Sequence, residues 1–387
     1  MSVIFAPEGR PASIYVHIPF CERLCPYCDF AVAIRKEIPE EDYVQALIKE
    51  WEARKYRLSG RELVSVYFGG GTPSILSGAA IPRVLDSFSS VMNGVREVCV
   101  EANPTSVTDE KIRAWAAAGV TRVSLGVQTF SERYLRALGR NHDSDGALRA
   151  VELLLGSPLD ISLDFIVGGP GNDRGEVEDD LRLLEKFGVD HVSAYQMTIE
   201  ENTAFGKQNK RGELRVPKDD TVAELLDQMR DGLEAMGFEQ YEVSNFGRAG
   251  VRSVHNQNYW RGGEYLGLGV GAHSLSISVI AERRANSRNL KAYLADPTEA
   301  HELETLYDLD HCRERLFLGM RSISGFELGA LRRQFPHLDN DYFERVATSL
   351  APFVNRGWLT QDDELYQPTK VGLYFSDSMA EAIFEVE

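Results

Sequence analysis

Three cysteines constrain this chain more than any other feature of its sequence. Cys21, Cys25 and Cys28 form a C-x3-C-x2-C motif directly after a short apolar run. Three thiolates on one short loop can face a single centre and bind three irons of a [4Fe-4S] cluster, which leaves the fourth iron without a protein ligand. An open coordination position is typical of reactive rather than structural metal centres. The motif therefore predicts a reactive iron–sulfur centre on this loop.

Zinc is the alternative ligand for the same cysteines. A structural zinc site needs four Cys or His ligands in a closed set, and no fourth ligand stands at a matching local spacing. His17 is close in sequence, but it alternates with apolar residues on a predicted strand. The iron–sulfur interpretation is therefore favoured. The remaining two cysteines, Cys99 and Cys312, are expected to be buried small side chains.

Composition limits the possible partners. The chain has 387 residues, enough for about two or three domains, and its 42 basic and 59 acidic side chains give a net charge of −17. Such a charge argues against sequence-independent binding to nucleic acid or to an anionic membrane. No signal peptide and no run of eighteen apolar residues is found. We expect a cytoplasmic protein, and the sequence leaves peripheral membrane contact and homodimer formation open.

Strands and helices alternate through the first half of the chain. This alternation predicts an α/β fold with a parallel sheet and right-handed crossovers. In such folds the chemistry lies at the carboxyl ends of the strands. The six predicted strands are Ile14–Ile18, Val64–Phe68, Val98–Ala102, Arg122–Val127, Ile161–Val167 and Val192–Met197.

The composition shifts after residue 286. Pro297–Tyr307 is polar and acidic and is expected to be a connection, and helices with a hairpin at Gln361–Glu364 and a closing helix at Val371–Phe384 follow it. This order predicts a small winged-helix-like domain. Its basic groups are few and centre on Arg332 and Arg333, so packing or partner docking is favoured over DNA binding.

Two further motifs have both a structural and a functional interpretation. Gly69–Thr72 follows a strand and is either a tight turn or a loop whose backbone approaches a ligand closely, which glycine permits. His255 begins His-Asn-Gln-Asn-Tyr-Trp. Histidine is a common ligand of haem iron and the aromatic residues could stack on a porphyrin, but a buried polar loop explains the same residues equally well. The later His273 is expected to be structural.

Together these motifs resemble one known family. Tyr-Val-His-Ile-Pro-Phe-Cys at 15–21, Cys-Pro-Tyr-Cys-Asp-Phe at 25–30, the Gly-Gly-Gly-Thr-Pro loop and the His-Asn-Gln-Asn-Tyr-Trp stretch are similar to those of the HemW-type haem chaperones. These are radical S-adenosylmethionine (SAM) proteins related to oxygen-independent coproporphyrinogen III oxidase. The resemblance implies a partial (β/α)6 barrel at residues 1–240, a segment that closes the barrel at 241–300 and the winged-helix-like domain at 301–387.

The resemblance also implies ligands for named residues. It implies a [4Fe-4S] cluster on Cys21, Cys25 and Cys28, haem on His255, and SAM bound at a larger set of positions. One departure puts a loop in doubt, because residues 168–172 are Gly-Gly-Pro-Gly-Asn where the family usually has Gly-Leu-Pro-Gly-Gln. The SAM set is Tyr15, Tyr27, Gly71, Thr72, Glu101, Gln128, Arg140 and Asp164.

Two functions follow from the resemblance. In the first, the protein binds haem as cargo and delivers it to haem-accepting apoproteins, with a radical SAM core that is expected to lack oxidase activity. In the second, it is a radical SAM oxidase that decarboxylates coproporphyrinogen III. The oxidase has one more cysteine two residues after the third and an N-terminal extension. Here Phe30 occupies that position, which favours the first function, and no catalytic residue is assigned.

Overall fold

The computed structural model describes residues 9–278 and 280–386, so residues 1–8 of the predicted first domain and residue 387 of the third lie outside the described chain. The strands, in chain order, are β1 (Arg10–Ile18), β2 (Phe20–Cys21), β3 (Ala33–Ile34), β4 (Arg61–Gly70), β5 (Glu97–Ala102), β6 (Arg122–Gln128), β7 (Asp160–Val167), β8 (His191–Gln196), β9 (Glu239–Gln240), β10 (Asn245–Gly247), β11 (Glu264–Leu268), β12 (His273–Ile277), β13 (Ala281–Ala285), β14 (Glu302–Leu306), β15 (Phe326–Glu327), β16 (Leu359–Asp362) and β17 (Leu365–Pro368).

The helices account for most of the remaining described chain. None of the described helices combines the length and the apolar composition needed to cross a membrane. In chain order they are α1 (Glu40–Arg54), α2 (Ala80–Ser87), α3 (Asp109–Ala117), α4 (Glu132–Ala137), α5 (Ser144–Leu155), α6 (Arg174–Phe187), α7 (Ala204–Lys210), α8 (Asp219–Ala235), α9 (Val254–Trp260), α10 (Leu290–Ala295), α11 (Asp308–Met320), α12 (Leu328–Gln334), α13 (Asn340–Asn355), α14 (Lys370–Leu373) and α15 (Ser376–Phe384).

One large sheet organises the structure. Its strand order is β14-β13-β12-β11-β1-β4-β5-β6-β7-β8-β10-β9. The six predicted strands are β1 and β4 to β8, and they lie side by side and parallel, as expected. Antiparallel strands extend the sheet at both sides, and its edge strands β14 and β9 do not pair with each other. The predicted α/β fold with an open, largely parallel sheet is therefore confirmed.

The alternation of side chains along β4 explains how the sheet has two different faces. Val66 and Phe68 join the buried apolar core together with Trp51 of α1. Ser65 and Tyr67, which point the other way, contact polar groups on the inner face of the sheet. Successive strand residues face opposite sides. The outer face therefore packs on helices, and the inner face is free to carry polar chemistry.

The inner face curves around a cavity. Tyr67 on β4 and Tyr195 on β8 line the same cavity, although three strands lie between them in the sheet. In a flat sheet with strands about 4.8 Å apart, these positions would be separated by about 19 Å. Because both side chains reach one cavity, the sheet is curved, as a partial barrel requires.

The C-terminal part of the chain has its own apolar core, which includes Cys312, Leu316, Phe343, Leu350 and Met379. Its short sheet has the order β15-β17-β16. The element order α11, β15, α12, α13, β16 and β17 is that of the predicted winged-helix-like domain. Cys99 and Cys312 are both buried, as expected. The predicted basic group is neutralised, because Arg332 and Arg333 pair with glutamates.

Several elements differ from the sequence prediction. The expected connection at Pro297–Tyr307 contains the strand β14, which pairs with β13. It does so although Glu302, Glu304 and Thr305, three of its five residues, are polar and exposed. The single closing helix predicted at Val371–Phe384 is two helices, α14 and α15. His255 lies in the helix α9, not in a loop. The domain boundaries stay predictions, and the pairing of β14 continues the large sheet as far as Leu306.

A seventh parallel strand was not expected. β11 pairs in parallel with β1, although it contains Gly267 and is followed by Gly269 and Gly271. The glycines are required by close packing: a side chain at Gly267 would meet the backbone oxygen of His273 at 1.9 Å, and one at Gly269 would meet that of His17 at 2.5 Å. Glycine weakens a strand in general, so the pattern resembled a loop.

Candidate functional site

A cavity of about 580 Å³ opens at the carboxyl ends of the parallel strands. The loop between β2 and β3 forms one wall, and the ends of β4 to β8 form the others. All three residues of the cysteine motif, Cys21, Cys25 and Cys28, line it. A volume of this size is typical of sites for small-molecule ligands. The sequence motif therefore lies in the place where an α/β barrel carries its chemistry.

Local contacts hold the cysteine loop against the sheet. β2 and β3 pair in parallel and close the base of the loop, with Cys21 opposite Ile34. The Cys21 Sγ lies 3.4 Å from the hydroxyl of Thr72. The Cys28 N–H donates to the carbonyl of Cys25 at 3.1 Å. The loop is thus shaped by its own backbone and by the glycine loop that follows β4.

Arg140 connects the cysteine loop to the floor of the cavity. One guanidinium nitrogen lies 3.4 Å from the Cys25 Sγ and donates to the Tyr27 hydroxyl at 3.2 Å, and the other donates to the Gly126 carbonyl at 3.3 Å. Burial, the larger cause, raises the pKa of the Cys21 and Cys28 thiols, and the Arg140 charge acts to lower both. The Arg140 Nε is buried and has no partner among the described residues.

The donor set fits an iron–sulfur cluster. Burial raises the pKa of the Cys21 thiol to about 11 and also raises that of Cys28, so metal binding would release protons from these thiols. Among the described residues, no group of three His, Cys, Asp or Glu side chains converges on a single ion position. Three thiols on one cavity wall match a cluster, in which each thiolate binds a different iron.

The glycine loop after β4 is shaped by a lack of space. The Gly71 N–H donates to the Ile18 carbonyl at 2.8 Å, and a Cβ at Gly71 would lie 2.8 Å from the Phe20 carbonyl oxygen. Gly70 has φ of 108°, a conformation that other residues rarely adopt. The loop therefore brings bare backbone to the cavity, as the functional interpretation requires.

Glu101 is the acid at the centre of this wall. Its carboxylate accepts hydrogen bonds from the Tyr67 hydroxyl at 2.8 Å and from the Gly70 N–H at 3.1 Å. The pKa of Glu101 is raised to about 7, mainly by burial. The nearby Asp164 also raises this pKa, and the hydrogen bonds from Tyr67 and Gly70 lower it. A carboxylate with such a pKa in a cavity is typical of a ligand-binding site, because a cationic group bound next to it would restore its charge.

Asp164 and Gln128 face the same cavity from β7 and β6. Asp164 accepts from the Ser124 hydroxyl at 2.9 Å, and burial raises its pKa to about 6. Gln128 has φ of 66°, which is uncommon outside glycine. Asp180 stabilises the turn that follows, because its carboxylate accepts from the Phe130 N–H at 2.7 Å. The strained backbone aims Gln128 into the cavity.

Tyr15 is the predicted SAM residue that does not line the cavity. Its hydroxyl lies 3.0 Å from the Nδ1 of His17, and its ring stacks on Tyr67 at a centroid distance of 6.3 Å. It therefore lies below the cavity wall. The doubtful loop at 168–172 also stays outside: the Gly168 N–H bonds to Asn172 and the Gly169 N–H to Tyr134.

His255 lies on the opposite side of Tyr67 from the cavity. It is 1% exposed, and its ring stacks on Tyr67 with centroids 4.7 Å apart. Its Nδ1 lies 2.9 Å from the Ser65 hydroxyl and its Nε2 lies 3.2 Å from the Tyr259 hydroxyl. Burial lowers its pKa to about 3. Both ring nitrogens therefore have protein partners, and the imidazole is neutral.

The amino end of α9 explains why His255 is inside the barrel. Glu97, at the start of β5, accepts from the backbone N–H groups of Val254 and His255 and from the Ser253 hydroxyl. A carboxylate at a helix amino end is stabilising. Because Glu97 begins its strand, α9 packs at the end of the barrel opposite to the cysteine loop.

Tyr67, Ser124 and Tyr195 are among the polar residues of the cavity that sequence analysis missed. A signal existed for each. Tyr67 lies two residues before Gly69 and so faces the same side of β4, and Ser124 has the same relation to Gly126 on β6. Tyr195 is the penultimate residue of β8. Side chains along a strand alternate between the two faces of the sheet. Counting back in steps of two from Gly69, Gly126 and Met197 would therefore have found them.

Two family models match the chain. The Radical SAM superfamily model matches residues 15–184, and the HemN C-terminal domain model matches residues 306–375. The first covers the cysteine loop and the strands to α6, and the second covers most of the winged-helix-like domain. The matches therefore cover both the large sheet and the C-terminal core.

Curated relatives match over nearly the full length. The chain is 34% identical over 377 residues to "Heme chaperone HemW" of Escherichia coli (96% of this chain, 97% of the relative) and 33% identical over 378 residues to that of Lactococcus lactis (96% and 97%). Among solved structures, the E. coli coproporphyrinogen III oxidase HemN, described as a radical SAM enzyme, superposes with a TM-score of 0.83 at 22% identity and covers 98% of this chain and 91% of its own. This last similarity supports the fold alone.

The raised pKa of Glu101 predicts a pH-dependent stability. Between its ordinary pKa near 4.5 and about 7, the folded state binds a proton that the unfolded state has released, so stability falls as the pH rises. Glu101→Gln removes this titration. We expect the unfolding free energy of the variant, relative to wild type, to rise by on the order of 2 kcal/mol between pH 5 and pH 8 in cluster-free protein.

Urea unfolding at several pH values measures this difference. Asp164 also titrates and interacts with Glu101, so the comparison is repeated in an Asp164→Asn background, where only Glu101 differs. Glu381→Gln, at an exposed position of α15, is the matched control and should show no such trend. A difference between Glu101→Gln and wild type that is constant across this pH range would contradict the prediction.

Proposed function

Since the chain belongs to the HemW family of radical SAM proteins, we propose that it binds haem and delivers it to haem-accepting apoproteins. The observation that carries this proposal is the near full-length similarity to heme chaperones, together with a cavity that gathers the cysteine loop, the glycine loop and the carboxylates of Glu101 and Asp164. Phe30, in place of the additional oxidase cysteine, supports the same choice.

Two cofactors accompany the proposal. Cys21, Cys25 and Cys28 would hold a [4Fe-4S] cluster, and SAM would occupy the rest of the cavity. When bound, this pair supplies one-electron cleavage of the C–S bond of SAM. The protein's own part is positional: Arg140 fixes the cysteine loop on Gly126. The glycine loop packs directly against the backbone of residues 18–20, where a side chain at Gly71 would clash.

The carboxylates suit a cationic ligand. Glu101 and Asp164 line one cavity, and each has a pKa raised by burial. A positive ligand such as SAM would favour their ionised forms. Thr72 and Gln128 supply neutral polar groups on the same walls, and Tyr27 stays protonated because burial raises its pKa. Tyr15 would act indirectly, through the ring of Tyr67.

The haem contact of His255 stays a prediction, and this conformation favours a structural role. Iron coordination by its Nδ1 or Nε2 would require the loss of the bond to Ser65 or Tyr259. The ring of Tyr67 also separates His255 from the cavity. Direct ligation by His255 therefore requires a displacement of α9.

The alternative function is that of the oxidase, since the fold is shared with coproporphyrinogen III oxidase. In either case we propose a cytoplasmic protein without nucleic-acid partners, as the net charge of −17 suggests. The identity of the haem acceptor, peripheral membrane contact and homodimer formation remain open to experiment.

The cysteine loop predicts the fate of the cluster in variants. Cys21→Ala, Cys25→Ala and Cys28→Ala should each lose most of the visible absorbance that anaerobic reconstitution with iron and sulfide gives wild type, because each removes one of three iron ligands. Cys99→Ala, a buried free cysteine outside the loop, is the control and should keep it. Full absorbance in all three loop variants would contradict the cluster assignment.

Haem titration and turnover on one reconstituted sample separate the two functions. We expect haem to bind with a defined stoichiometry in absorbance titration, and we expect no decarboxylation of coproporphyrinogen III in the presence of SAM and a reductant. Turnover with only weak haem binding would support the oxidase instead. A known coproporphyrinogen III oxidase, assayed in parallel, establishes that the assay detects product.

His255→Ala tests whether the histidine is a ligand or part of the core. The change leaves the hydroxyls of Ser65 and Tyr259 without their buried partner, so we expect stability to fall by about 2 kcal/mol while the absorption spectrum of bound haem stays that of wild type. Thermal melting and haem spectra measure the two effects. His273→Ala, at an exposed strand position, is the control. A changed haem spectrum in His255→Ala alone would establish ligation.

A further inference from the structure

The cysteine loop exposes more apolar side chains than its chemistry requires. Leu24 is 53% exposed, Phe30 is 68% exposed and Ile34 is 41% exposed. Single exposed apolar residues are common, but these three lie within eleven residues, on a loop whose base is closed by the pairing of β2 with β3. Leu24 and Phe30 also line the cavity that holds the cysteines. Leu24 and Phe30 therefore form an apolar rim at its mouth, and Ile34 adds exposed apolar surface at the base of the same loop.

Cations accompany this rim. Arg23, Arg35 and Lys36 are exposed, and none of them forms an ion pair within the described chain, although many other arginines do. Arg35 donates only to the carbonyl of its neighbour Ile34. Glu22, Asp29 and Glu37 lie on the same segment, so its formal charge is balanced. On a chain with a net charge of −17, three unpaired cations beside an apolar surface still form a local site for carboxylates.

We propose that haem docks on this rim, with a porphyrin face against Phe30, Leu24 and Ile34 and its propionates toward Arg23, Arg35 and Lys36. The inference rests on the proposed haem-binding function and assigns that function a surface. A porphyrin has flat apolar faces and two carboxylates at one edge. Aromatic and aliphatic side chains bind the former, and guanidinium and ammonium groups bind the latter.

The size of the cavity favours the rim over the interior. About 580 Å³ is the scale of a site for one small ligand, and the cluster with SAM would occupy it. Haem on the rim would cover the mouth instead. This position is also on the opposite side of Tyr67 from His255, which agrees with the hydrogen bonds that engage both nitrogens of that histidine.

Phe30→Ser tests the apolar half of the proposal. We expect the variant to bind haem about tenfold more weakly in absorbance titration, while its cluster absorbance stays that of wild type; a SAM titration of the same sample measures any effect on the cavity that Phe30 lines. Phe384→Ser is the matched control, because Phe384 is 46% exposed on α15, outside the cysteine loop, and its haem affinity should be unchanged. Equal haem affinity in Phe30→Ser and wild type would overturn the proposal.

The cationic half has its own test. Exchange of Arg23, Arg35 and Lys36 for glutamate together should weaken haem binding at least tenfold and reduce its dependence on salt. The dimethyl ester of haem, which lacks the propionate charges, should bind the triple variant and wild type equally. Unchanged haem affinity in the triple variant, or an equal loss for the ester, would overturn the assignment of the propionates.

The outcomes also separate this proposal from the proposed function. If wild type does not bind haem at all, the haem-carrier function fails. If wild type binds haem and both variants bind it equally well, only the rim is wrong. Sedimentation of the same samples identifies the competing occupant: a change of oligomeric state in Phe30→Ser with unchanged haem affinity would assign the rim to contact between copies of this chain.

Discussion

The carboxylate of Glu101 joins the parts of this structure on which its chemistry depends. It accepts from the Gly70 N–H and from the Tyr67 hydroxyl. This one carboxylate on β5 therefore connects the glycine loop with the aromatic residues inside the sheet. The ring of Tyr67 then stacks on His255. A shift at any of these groups would move the wall of the cavity, although the residues are far apart in sequence. The shape of the cavity consequently depends on the residues packed beneath its wall as well as on those at its mouth.

Sequence reasoning succeeded where a residue's position follows from local periodicity. The cysteines are readable because their spacing fits one loop. Glu101 and Asp164 were assigned by the family resemblance, and the parallel strands bring both to one cavity. Sequence reasoning was less informative where contacts between residues far apart in sequence determine the position of a side chain. The burial of His255 depends on Ser65, 190 residues away. β14 has an acidic sequence typical of a connection, and only its pairing with β13 makes it a strand.

Backbone conformation is a second feature of the site that sequence patterns could not predict. Gln128 was identified by its place in a motif, yet its φ of 66° depends on the turn that Asp180 holds from α6. No periodicity links position 128 with position 180. Tyr15 shows the opposite case: the motif is intact, but the strand register directs its side chain to His17 and Tyr67 instead of the cavity. Motifs identify candidates, and register decides which of them reach a ligand.

A carrier and an enzyme have different needs at the mouth of such a cavity. An enzyme encloses its substrate, since exclusion of water strengthens the interactions that stabilise reacting charge. A carrier must release its cargo to another protein, and a ligand held on an exposed rim can be approached by the acceptor before it leaves. The high exposure of Phe30 and Leu24 fits the second requirement.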